Sequence, residues 1–186
     1  MKIQCDCGKF KAQLNHFPKA TPGRLVCYCD DCQTYVKKIG REDILDEYGG
    51  TEVIPAYPND FEILAGKEFL KCNKLSRKGL HRWTASCCNT PIANTMPKFP
   101  WLGIPHNVYK NADSQALEVF GPVRSRIKGK FKTKEAPFKI SDDLKITDAL
   151  VVLPFIAKGF LFKKYSASPF LKEDGKTPVS EPNYLD

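Results

Sequence analysis

Three cysteines stand within six residues, Cys27-Tyr28-Cys29-Asp30-Asp31-Cys32, and no other feature limits the fold so tightly. The run joins a Cys-x-Cys pair to a Cys-x-x-Cys pair. So compact a group offers three thiolates to one ion and cannot easily supply a fourth, and three protein ligands with one open position is how catalytic zinc is held. Two further groups flank it. Cys5-Asp6-Cys7-Gly8 sets two sulfurs on a tight turn that Gly8 lets reverse. Cys87-Cys88-Asn89-Thr90-Pro91-Ile92 carries another pair, while Cys72 stands alone in the manner of a small buried apolar residue. A thioredoxin-like redox role for Cys29-x-x-Cys32 competes with metal binding, but the βαβ context of that motif is missing.

Met1-Lys2-Ile3-Gln4 runs straight into Cys5 without the apolar core of a leader. The expectation is therefore a cytoplasmic, reducing setting, where clustered cysteines are metal ligands rather than disulfides. No apolar run is long enough to span a bilayer.

Up to about Val123 the chain reads as short strands broken by turn residues: Leu25-Val26, Glu52–Ile54, Phe61–Leu64, Glu68–Cys72, His81–Thr84, Asn107–Tyr109 and Ala116–Phe120. From Ser141 the character changes. Ser141-Asp142-Asp143 and Thr147-Asp148 are helix-start signals, and Ala149 to Phe162 is strongly apolar up to Lys163-Lys164. Pro154 removes a backbone donor, which predicts one kinked helix or two short ones. Such a helix either packs on the β domain or serves a membrane surface or a partner. The organisation expected is a β domain over 1–123, a basic segment over 124–140 and a helical extension with an irregular tail over 141–186.

The order Cys-x-Cys-Gly, Cys-x-Cys-x-x-Cys, Gly66-Lys67-Glu68-Phe69-Leu70 and Cys88-Asn89-Thr90-Pro91-Ile92 resembles the glutathione-dependent formaldehyde-activating enzyme family, which includes centromere protein V. The resemblance covers roughly residues 2 to 95. It implies a mainly β, antiparallel β-tent zinc-binding domain with Zn(2+) at two sites. Cys5, Cys7 and Cys88 would hold a structural zinc, with Cys87 or Cys72 as fourth ligand; Cys27, Cys29 and Cys32 would hold the catalytic one. Three departures stand out: Tyr28 replaces a histidine, Ala85 a cysteine and Asn89 a glycine. Adjacent cysteines in a strand point oppositely, so Cys87 can join Cys88 only across a turn.

The chemistry implied is that of a carbon–sulfur lyase. The open site would take a substrate thiol, glutathione-like, hold it as thiolate against an aldehyde such as formaldehyde, and in reverse break the C–S bond of a thiol–aldehyde adduct. Asp30 and Asp31 are candidates to shuttle a proton, and His81 and Arg82 to meet substrate carboxylates near the last cysteines, with solvated-loop and structural roles as the competing readings; His16 and His106 carry no local pattern.

The rival is a zinc module without turnover. The formal net charge is +8, and Arg124, Arg126, Lys128, Lys130, Lys132 and Lys134 supply six positive charges with no acid among them. An extended segment would align all six on one face for nucleic acid or an acidic partner. Only Phe131 interleaves them, which argues against base stacking.

Overall fold

The structure, a computed structural model, describes residues 1–16 and 21–185. In chain order the strands are β1 (Lys2–Gln4), β2 (Lys11–Leu14), β3 (Arg24–Cys27), β4 (Thr51–Ala56), β5 (Phe61–Ala65), β6 (Leu70–Lys74), β7 (His81–Ala85), β8 (Thr90–Thr95), β9 (Leu102–Pro105), β10 (Val123–Ile127) and β11 (Asn183–Tyr184). The α-helices are α1 (Asp30–Lys38), α2 (Asn107–Ala112) and α3 (Ile146–Leu161). The protein is mainly β, with a carboxy-terminal helix.

β1, β2 and β5 form an antiparallel three-stranded sheet. The second sheet has eight strands in the order β10-β3-β4-β9-β8-β7-β6-β11. It is mixed: its inner pairs are antiparallel, but β10 joins β3 and β11 joins β6 in parallel. The purely antiparallel expectation is corrected at both edges, where segments distant in sequence add the outermost strands.

The main core gathers residues of both sheets, among them Ile3, Phe10, Ile54, Trp83, Ile92, Leu102 and Ile104, all nearly inaccessible to solvent. Trp83 donates its indole N–H to Thr95 Oγ1 at 2.9 Å, so its one polar atom is satisfied inside. The tail also contributes. Phe170 is fully buried, with its ring 5.2 Å from Trp83 and 4.9 Å from Phe61. Burying one such ring stabilises by roughly 1.5–3 kcal/mol, enough to tie an otherwise irregular segment to the sheets.

Three local readings need correction. Asn107–Tyr109 opens α2 rather than a strand, and Ala116–Phe120 forms turns ending in a single 3₁₀ turn over Glu118–Phe120. Runs this short carry no period that separates strand from helix. Helix α3, by contrast, is a single helix that runs through Pro154, the first of the two alternatives expected. Pro154 and the residue one turn before it, Leu150, both lie on the exposed side, where water serves the carbonyl that proline leaves unpaired. The basic strip, finally, does not extend as one face. β10 ends at Ile127, Lys128 takes a left-handed conformation at φ 65°, and Gly129–Phe131 coils into a 3₁₀ turn.

Candidate metal centres

Cys5 and Cys7 follow β1, on a turn closed by the Gly8 N–H to Cys5 carbonyl bond at 3.0 Å; Gly8 sits at φ 74°. Cys87 and Cys88 occupy the tight turn over 86–89 between β7 and β8. Asn89 leaves that turn at φ 54°, a conformation that asparagine tolerates better than most residues. The turn frees both cysteines from strand alternation. Sulfur separations are 3.6 Å for Cys5–Cys7, 3.8 Å for Cys5–Cys87, 3.3 Å for Cys7–Cys87 and 3.8 Å for Cys87–Cys88. Four sulfurs about 2.3 Å from a tetrahedral zinc would stand about 3.8 Å apart. The spacing therefore fits a closed four-cysteine metal site. Cys72 is elsewhere, fully buried in the core, and burial pushes its thiol up to about 12.

Polar groups brace this cluster. The Phe10 N–H donates to Cys5 Sγ at 3.2 Å. The Thr90 hydroxyl oxygen accepts from the Asp6 N–H at 3.1 Å and from Arg41 at 3.3 Å, and lies 3.0 Å from Cys88 Sγ. Arg41 also pairs with Asp6 at 2.7 Å and Asp43 at 2.8 Å. Burial opposes ionisation of Cys88. The Thr90 hydroxyl, the backbone N–H groups of Cys7 and Thr90 and the Cys7 thiol outweigh it, holding the thiol at about 6. Neither Arg41 nor Thr90 was legible as part of a site.

The second group is built where β3 turns into α1. Cys27 is the last residue of β3, in register with Thr51 of β4 and Ile127 of β10. Cys29 caps α1, and its carbonyl accepts the N–H groups of Cys32 and Gln33 at 3.1 and 3.2 Å. Cys32 lies in the first turn, where the unpaired N–H groups of a helix favour anions and lower thiol pKa values. Ligand atoms of Cys27, Cys29 and Cys32 lie within 4.8 Å of one another, and among the described residues no fourth His, Cys, Asp or Glu joins the set. All three are half-buried. Tyr28 turns the other way. Its hydroxyl donates to Asp46 Oδ2 at 2.8 Å, and its ring packs so closely on Gly50 that a Cβ there would sit 2.6 Å from it.

Two cations, Arg82 and Lys128, act on this trio. Hydrogen bonds from Cys27 and Cys29 hold the Cys32 thiol well below its usual range against the pull of burial, and Arg82 adds to them; Cys27, as donor, is pushed up. Arg82 Nη1 lies 4.0 Å from Cys32 Sγ. This corrects its expected position, since Arg82 faces the middle cysteines rather than the last pair. Lys128, paired with Asp143 at 2.9 Å, also stands within electrostatic reach of Cys27 and Cys29. Ile127, the residue before Lys128, pairs with Cys27, so the basic segment starts beside the trio. Gln33 donates to the carbonyls of Tyr28 at 2.7 Å and Phe131 at 2.8 Å, clamping that segment beside α1.

The remaining candidates join neither ligand set. Asp30 and Asp31 are exposed in the first turn of α1, bonded to each other at 3.0 Å. His81 is buried edge-on to Trp83 at 6.3 Å. His16 lies 3.1 Å from Asp60, and the His106 N–H bonds the Glu52 carbonyl at 3.1 Å.

Fold and site together define a mainly β protein with two cysteine groups able to hold metal ions. The chain belongs to a family of unknown function, DUF6151, whose profile matches residues 1–183. No curated protein is similar enough to count as a relative. A crystal structure of a Rhodobacter sphaeroides protein is distantly similar, at 15% identity over 66% of this chain and 97% of that one, with a TM-score of 0.46.

Proposed function

We propose that this protein is a divergent two-zinc, β-tent protein of the glutathione-dependent formaldehyde-activating type, acting as a carbon–sulfur lyase on a thiol–aldehyde adduct such as S-hydroxymethyl glutathione. The observation that carries the reading is the unequal number of ligands: four sulfurs converge in one group and three in the other. Cys5, Cys7, Cys87 and Cys88 would hold a structural zinc. Cys27, Cys29 and Cys32 would hold the second, which when bound supplies a position for a substrate thiol as thiolate.

The chain's own residues set the conditions for that capture. The amino end of α1 and the Arg82 guanidinium favour negative charge at the trio. Lys128 adds a cation at its rim, suited to a thiol that carries carboxylates, as glutathione does. Asp30 and Asp31 are exposed to solvent, so no proton shuttle is assigned to them, and the buried His81 is assigned no substrate contact. A reducing, cytoplasmic setting belongs to the same reading, because ligand thiols must stay reduced.

The test is a titration of glutathione into the cobalt-substituted protein, followed by the visible spectrum of the metal. An open trio predicts a saturable spectral change that Cys29→Ser abolishes. An unchanged spectrum would favour the alternative, a zinc module whose basic surface engages nucleic acid or an acidic partner. That alternative predicts binding that falls steeply with salt, with a slope near −0.9 per phosphate neutralised on duplex DNA.

A further inference from the structure

Helix α3 is apolar on two opposite sides, and the sheets cover only one. Toward the domain it presents Asp148, Phe155 and Gly159, all buried. Phe155 stacks on Tyr57 at 4.1 Å, and Val152 and Ile156 line an apolar cavity of about 300 Å³ with Phe99 and Trp101. The far side carries Ile146, Leu150, Leu153 and Leu161, which are 81%, 69%, 62% and 76% exposed, with the 45% exposed Phe160 at its edge, its ring 5.7 Å from Phe99 and 5.9 Å from Tyr165. At 3.6 residues per turn these five helix residues fall within a sector of ~100°, roughly opposite Phe155. Leu144, just before the helix, is also exposed, whereas Phe162 at its carboxy end falls on the side of Phe155 and lines a cavity with Tyr57.

Single exposed leucines are ordinary on a protein surface; a continuous stripe of this length marks a surface that something covers. No helix among the described residues is long and apolar enough to cross a membrane, so α3 does not span one. The charges narrow the choice of cover. Lys145 precedes the helix, Lys158 flanks the stripe, and Lys163 and Lys164 follow it. The one acid of the helix, Asp148, is buried and accepts the Ser125 hydroxyl at 2.6 Å, so it offers nothing to an outside cation. A second copy docked stripe to stripe would set Lys145, Lys158 and Lys163 against lysines of its partner; of the two exposed acids before the helix, Asp143 is already held by Lys128 at 2.9 Å, which leaves Asp142 alone to relieve them. An anionic lipid leaflet meets both demands: its acyl boundary takes the apolar side chains, and its phosphates take the lysines.

We propose that α3 is an interfacial helix that lies in the plane of an anionic membrane surface, its outward stripe entering the headgroup boundary and Lys145, Lys158 and Lys163 reaching the phosphates. Such a helix, 16 residues and about 24 Å long, would be held by apolar burial and electrostatic attraction together. The proposal is independent of the metal centres, which lie on other elements.

The experiment is co-sedimentation of the full chain with phosphatidylcholine vesicles, with and without phosphatidylserine, for the native sequence and for a Leu150→Glu/Leu153→Glu double variant. Both leucines are exposed, so the variant should keep the native melting temperature, which a thermal melt verifies. The expected result is salt-sensitive binding to the phosphatidylserine vesicles, absent from the neutral ones and weakened about tenfold or more in the variant. Three results would overturn the proposal: no binding to anionic vesicles, equal binding by the variant, or a concentration-dependent dimer in gel filtration that the variant dissolves.

Discussion

The Arg82 guanidinium points at the Cys32 sulfur, 4.0 Å away, from within the protein. Arg82 is 3% exposed, its guanidinium lies 5.0 Å from the centre of the Tyr35 ring, and it forms no ion pair with a carboxylate among the described residues. A buried cation without a partner is costly, so the thiolates of the middle cluster are its counter-charge.

Replacing Arg82 with methionine keeps the unbranched stem of the side chain and removes the guanidinium with its charge. Metal affinity of the three-cysteine site should fall on the order of 10–100-fold, as outer-shell changes commonly cause. Affinity at the four-cysteine site should not move, because Arg82 does not touch it. Competition with a chromophoric chelator resolves the two sites. Equal weakening of both would mean that Arg82 acts only through general stability.

Gly159 fixes how closely α3 approaches the sheets. A Cβ there would lie 2.4 Å from Pro100 Cβ and 2.9 Å from the Tyr57 ring. In an exposed helix, glycine to alanine would stabilise by about 0.8–1 kcal/mol. Here the clash with a rigid proline ring decides the sign, and Gly159→Ala should destabilise by about 1–3 kcal/mol. Urea unfolding measures it. A stabilised variant would show that α3 has room to shift.

Two histidines make the fold sensitive to acid. Burial, first of all, holds both His81 and His106 below the usual imidazole range, and Lys74 adds to the effect at His81. The unfolded chain takes up protons at these positions near pH 6.5 while the folded chain does not. Stability is therefore complete above about pH 6.5 and declines as pH falls through that value. His81→Phe removes one of the two groups and keeps an aromatic ring against Trp83. The loss of melting temperature between about pH 7.5 and pH 5.5 should be smaller in the variant than in the native chain. An equal loss would show that His81 does not contribute.

The cysteine groups were readable because ligand spacing is local: Cys27, Cys29 and Cys32 share one strand-to-helix turn, and Cys5 with Cys7 share another. The pairing of Cys87 with Cys88 needed backbone knowledge. Adjacent residues can both face one point only on a turn, and Asn89 at positive φ supplies it. Arg82 was assigned to the wrong cysteines, and Arg41 was beyond reach, because their contacts with Cys32 and Thr90 join segments about fifty residues apart and no periodicity encodes that. The charge run from Arg124 to Lys134 misled for a related reason. Alternation suggested an extended face, whereas Lys128 turns the chain and brings the segment against the middle cysteines. In α3 the apolar content was evident, but which side the sheets would cover depends on Gly159 and Phe155 meeting Pro100 and Tyr57.

The central claim is that the two sulfur groups hold metal differently, one to build the fold and one to bind a ligand. Zinc content measured together with a thermal melt, for the native chain and for Cys5→Ser and Cys29→Ser, tests it most directly. The native chain should carry two zinc ions, and each variant about one. Cys5→Ser should lose cooperative folding, since structural zinc contributes on the order of 10–16 kcal/mol, while Cys29→Ser should melt nearly as the native chain does. A Cys29→Ser variant that keeps both ions, or a Cys5→Ser variant as stable as the native chain, would contradict the account.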